Sequence, residues 1–117
     1  MLTTKRACDL ARTMPDVSEY DHFGGDAFKA AGGTTFVTVW HAKKTANLKL
    51  TVDQQRHYVG LDGEGFVEID NAWGRQGWTT ANLEFVDEAT FRAALEAAWT
   101  NSKSKPKRVA RKKKRKT

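Results

Sequence analysis

Apolar residues follow two rhythms along this chain, one helical and one strand-like. Near the start, Ala7, Leu10, Ala11 and Met14 stand at i, i+3, i+4 and i+7, behind a threonine able to cap the first turn and just ahead of Pro15. That spacing predicts a short amphipathic helix over residues 3 to 14, halted by the proline. The rhythm then changes. In FKAAGGTTFVTVWH two extended runs meet at Gly32-Gly33, with Phe36, Thr38 and Trp40 on one face and Val37, Val39 and His41 on the other, which reads as a hairpin. Residues 46 to 52, ANLKLTV, continue the alternation, with Leu48, Leu50 and Val52 inward and Lys49 toward solvent.

Asp53 is the expected N-cap of a short helix through Tyr58 and Val59, ended by Gly60. Asp62-Gly63 and Gly65 mark a turn before FVEI, and Gly74 and Gly77 bracket a loop before WTTANLEF. That last run alternates Thr79, Ala81, Leu83 and Phe85 against Trp78, Thr80, Asn82 and Glu84. Asp87 caps a closing helix whose Phe91, Ala94, Leu95, Ala98 and Trp99 form a complete apolar stripe. The order α-β-β-β-α-β-β-α with short connections predicts an α+β two-layer sandwich, an antiparallel sheet with helices on one face.

Charge divides the chain into two parts. Residues 103 to 117, KSKPKRVARKKKRKT, hold ten of the twenty Lys and Arg and no carboxylate, which leaves ten basic against fourteen acidic side chains before them. The net charge of +6 therefore describes a mildly acidic body, residues 1 to 101, carrying a polycation at 102 to 117 that is expected to be disordered when free. One cysteine, Cys8, excludes an internal disulfide, and no Cys or His group has paired zinc-ligand spacing. The first fifteen residues lack a secretory apolar run, and no stretch approaches the roughly 18 apolar residues of a membrane span. A monomeric cytoplasmic protein without membrane contact or cofactor is the expectation.

Five stretches in fixed order carry a family resemblance. MPDVSE, DHFGGDAFKAAGGTTFVTV, the LKL strand, GRQGWTTANLEF and the closing helix through AAW resemble the MmcQ/YjbR family of small bacterial proteins, over about residues 5 to 100. The most specific points are Met14-Pro15, where the family has Leu-Pro, Phe23-Gly24 with Phe28, Lys49, and Gly77-Trp78 before the last strand. The resemblance implies a fold similar to type III secretion chaperones and a DNA-binding role of double-wing type, without an established reaction. The basic tail lies outside the shared region.

The tail supplies Lys103, Lys105, Lys107, Arg108, Arg111, Lys112, Lys113, Lys114, Arg115 and Lys116 as phosphate contacts, since clustered cations displace the counterions condensed on any nucleic acid. On the body, Lys49 and Arg75, with Lys43 and Lys44, suggest a modest basic face. Trp73 and Trp78 flank GRQG, where rings and a guanidinium can stack on bases or hold a protein partner, Trp73 being the candidate contact; Trp78 on the core edge with Trp73 as its lid meets the same pattern. Asp21, His22 and Asp26 offer too few ligands for a metal, and Cys8 reads as a half-buried, inert thiol. No nucleophile signature or phosphate loop is present, so no enzyme activity is expected. DNA or another nucleic acid is the expected partner. The contrasting reading is a protein-interaction or chaperone-like adaptor using the open sheet face or the Trp73–Trp78 loop.

If roughly six to eight tail cations reach phosphates, log K for duplex DNA should fall against log salt with a slope of about −5 to −7, taking about −0.9 per phosphate. Filter binding across a salt series measures it, and a slope shallower than about −2 excludes polyelectrolyte binding.

Overall fold

The computed structural model describes residues 2–30 and 32–103, so the tail cations from Lys105 to Lys116, and the disorder expected there, lie outside the described residues. In chain order the elements are α1 (Thr4–Arg12), β1 (Val17–His22), β2 (Gly25–Ala30), β3 (Thr35–Trp40), β4 (Thr45–Lys49), α2 (Val52–Leu61), β5 (Phe66–Glu68), α3 (Ala72–Arg75), β6 (Trp78–Asn82) and α4 (Glu88–Ser102). The strands form one antiparallel sheet in the order β1-β2-β3-β4-β6-β5. The fold is an α+β two-layer sandwich. Leu10 of α1 and Phe91 and Leu95 of α4 bury against Phe28, Phe36, Val37, Leu48 and Phe66, with Tyr58 and Val59 of α2 packed against this core.

Local chemistry explains most boundaries. Thr3 Oγ1 accepts the Arg6 N–H and starts α1. Thr51, not Asp53, caps α2, because Thr51 and Gln54 bond each other's backbone reciprocally at 3.1 and 3.0 Å. That box draws Val52 into the helix and ends β4 at Lys49, while α2 runs past Gly60 to Leu61. Asp87 starts α4 by accepting the Ala89 N–H.

Two elements exceed the predicted order. β1, VSEYDH, is an edge strand with no buried residue, so it shows no apolar alternation. α3 occupies the loop between Gly74 and Gly77, nucleated by Asn71 Oδ1, which accepts the Trp73 and Gly74 N–H groups. A bulge also reassigns one face: Lys29 pairs with Thr35 and Phe28 with Val37, leaving Phe36 unpaired and turned into the core with Val37 and Val39. His41 falls in the turn after β3, and the final strand stops at Asn82, so Phe85 is exposed. The body extends beyond residue 101. Ser102 is buried in the last turn of α4, and its carbonyl accepts the Thr34 N–H at 2.9 Å. Among the described residues, no helix is long and apolar enough to cross a membrane.

Gly77 has φ +114°, and an added Cβ would lie 2.0 Å from the Leu50 carbonyl oxygen, whereas Gly60 has nothing within 4 Å. Gly77→Ala should therefore cost about 2 kcal/mol or more. Gly60→Ala should stabilise by up to about 1 kcal/mol, and urea midpoints compare the two.

Candidate functional site

Helices α1, α2 and α4 cover one face of the sheet, and strand register determines what the other presents. Tyr20, Ala27, Thr38, Asn47, Thr80 and Val67 are paired in turn from β1 across to β5, forming one continuous row on the open face. Ser18, Lys29 and Thr35 lie to one side of that row, as do Lys49 and Trp78, with Trp40 and Thr45 on the other side. The intervening rows face the helices. They contain every strand carboxylate: Glu19, Asp21, Asp26 and Glu68. Among the strand residues of the open face, the formal charges are therefore Lys29 and Lys49 alone.

A cleft of about 380 Å³ lies on this face, walled by Tyr20, His22, Trp40, Trp73 and Trp78 and edged by the polar groups of Thr35, Thr38, Asn47 and Asn71. Ala27 is fully buried without belonging to the helix-side core. Trp73 of α3 stands edge-on to Trp78, with ring centroids 6.4 Å apart at 87°. Thr80 donates to Asn47 Oδ1 at 2.8 Å, and the Tyr20 and Thr35 hydroxyls share a hydrogen bond. Aromatic walls with hydroxyl and amide groups between them suit a flat ring that both stacks and hydrogen-bonds. At the β1–β2 hairpin tip, Phe23 holds φ 52° while 89% exposed. Both features carry a free-energy cost for a bulky aromatic residue.

Two carboxylates on the helix side, Glu19 and Glu88, are held by arginines. Arg12 Nε and Nη2 donate to Glu19 at 2.8 and 3.1 Å, lowering the Glu19 pKa, and Arg6 clamps Glu88 of α4 through two bonds of 2.9 and 2.8 Å, lowering that of Glu88. Of the residues singled out by sequence, Lys49 is on the open face, half-buried, its Nζ donating to Thr34 Oγ1 at 2.8 Å. Arg75 is exposed at the end of α3 and Trp73 is 60% exposed. Lys43 and Lys44 sit in the turn at the other end of β4, where Lys44 pairs with Glu84, so they form no common patch with Lys49. Lys103 is exposed, its Nζ 5.1 Å from the centre of the Trp99 ring.

The grouping of Asp21, His22 and Asp26 separates, His22 going to the cleft and the two aspartates to the helix side. Asp26 instead meets residues remote in sequence. His41 Nε2 lies 2.7 Å and Cys8 Sγ 3.8 Å from Asp26 Oδ2, and His41 Nδ1 lies 2.8 Å from Thr4 Oγ1. Separations of 15 and 18 residues left no spacing motif to find. Cys8 is 2% exposed rather than half-buried, and burial first, then the Asp26 charge, push its thiol up to about 11. Asp26, not the imidazole, accepts the Cys8 S–H, which differs from the direct thiol–imidazole pair of a cysteine nucleophile.

No family model and no curated protein sequence matches this chain. Among solved structures it is similar to the Deinococcus radiodurans protein DR2400, described as a DUF419 domain, with a TM-score of 0.69 at 12% identity, over 85% of this chain and 77% of that one. At that identity the likeness concerns the fold.

The thiol of unfolded Cys8 ionises near 9.0 and that of the folded chain at about 11. Between those values the unfolded chain loses a proton that the folded chain keeps, so stability intact below the lower value is lost as pH rises, by roughly 2–3 kcal/mol. Denaturant titrations at pH 8 to 11 should show a flatter profile for Cys8→Ala than for wild type.

Proposed function

We propose that this protein binds nucleic acid without catalysing a reaction, unstacked bases lying on the open sheet face while the Lys/Arg-rich C-terminal segment holds phosphates independently of sequence. The observation that carries this reading is the segregation of charge across the sheet: four strand carboxylates face the helices, while lysines and tryptophans face solvent. Base stacking on aromatic rings is sequence-tolerant, and lysines beside the rings attract the backbone. Single-stranded DNA or RNA fits this surface better than duplex, because bases must be unstacked to reach rings recessed in a cleft. A free buried thiol accords with a reducing, cytosolic setting.

Titrating full-length protein with a single-stranded oligonucleotide should quench tryptophan fluorescence. Trp73→Ala should weaken binding by about 1–3 kcal/mol with little change in melting temperature, and Lys49→Glu should weaken it further. If both variants bind like wild type while the steep salt dependence persists, the tail binds alone and the sheet face has another role. That role has its own supporting observation: β1 is an exposed edge strand beside the cleft, a surface to which an extended peptide can add as a further strand.

A further inference from the structure

We propose that Cys8, Asp26 and His41 form a zinc site on the helix side of the sheet, independent of the nucleic-acid reading. The three residues come from α1, from β2 and from the turn after β3, yet their Sγ, carboxylate oxygen and ring nitrogen all lie within 4.8 Å of one another. Donors around a tetrahedral zinc ion, at about 2.0–2.3 Å from the metal, are separated by about 3.3–3.8 Å. The Sγ to Oδ2 distance of 3.8 Å already meets this, and the 2.7 Å between Nε2 and Oδ2 must widen by about half an ångström. Both side chains are free to do so, being 45% and 39% exposed for His41 and Asp26. A thiolate, an imidazole and a carboxylate select zinc over calcium or magnesium, which take oxygen ligands. Three protein donors leave the fourth tetrahedral position to water or a small anion.

Thr4 provides the supporting contact. Without metal, its hydroxyl donates to His41 Nδ1 while Nε2–H and the Cys8 S–H both donate to Asp26. With zinc bound, the imidazole proton moves to Nδ1 and donates to Thr4 Oγ1, freeing the Nε2 lone pair for the metal. The thiol proton leaves to solvent, so binding releases one proton net when His41 starts neutral. The charged groups around that thiol are Asp26 and Glu19, which oppose its ionisation, and Arg12, which favours it. A bound dication outweighs the two carboxylates at contact distance. Seated there, the metal ties α1 to β2 and β3.

The test uses reduced, metal-free full-length protein titrated with Co²⁺ as a spectroscopic probe, and with Zn²⁺ against a chromogenic chelator. A single ion per chain is expected, with a near-ultraviolet thiolate-to-cobalt band that Cys8→Ser abolishes and His41→Gln reduces. Zinc affinity should rise about tenfold per pH unit below the thiol pKa. Thr4→Ala should weaken it by about tenfold or more. Zinc should also slow alkylation of Cys8 in the native chain. Absence of the thiolate band overturns the proposal, as does unchanged zinc affinity in both Cys8→Ser and His41→Gln, which would place the ion on other histidines. His41 is exposed, so His41→Gln remains informative if the Cys8 variant fails to fold.

Discussion

The seating of α4 on β3 and β4 is the contact on which the rest of this protein depends. Phe91, Ala94, Leu95 and Ala98 are fully buried and meet the sheet face that contains Val37, Val39, Ala46 and Leu48. Because successive side chains of a strand point to opposite faces, choosing that face for the core leaves Thr38, Trp40, Asn47 and Lys49 outside. A slip of one residue would invert both faces. Among the described residues the strand pairing shifts register at the bulge at Phe36, which adds a large ring to the core without moving Thr38 or Trp40 from the open side.

The same constraint sorts charge. Glu19 and Asp21 of β1 and Asp26 of β2 are placed on the helix side by register, where Arg12 holds Glu19, and Arg6 links α1 to Glu88 of α4. These pairs are substantially exposed and add little stability. Their effect is on distribution: an acidic body presents a sheet face whose strands carry only lysine charges and aromatic rings. Under the proposed reading, attraction to a polyanion is concentrated on that face and on the C-terminal cations.

Cys8, Asp26 and His41 occupy the acidic side of the sheet, so the two sites use opposite chemistry. The cleft offers stacking and neutral hydrogen bonds beside lysines, and the cluster offers soft and hard donors beside a buried thiol. Both take residues from β2 or β3 and their adjoining turns.

Local pattern was enough to establish the α+β class, the α1 and α4 stripes, their threonine and aspartate caps, and the division between an acidic body and a basic tail, since spacing, capping and composition are read within a few residues. β1 escaped because an edge strand with both faces wet has no apolar rhythm, and α3 because four residues capped by Asn71 are too short for one. The candidate site was legible only in part. Lys49 and Trp73 were found as isolated features, but their sharing of one face with Tyr20, His22 and Trp40 depends on β6 slotting between β4 and β5 and on the register of the whole sheet. The meeting of Cys8 and His41 at Asp26 likewise needed α1 laid across β2 and β3, a long-range arrangement that packing decides and neighbouring residues do not encode.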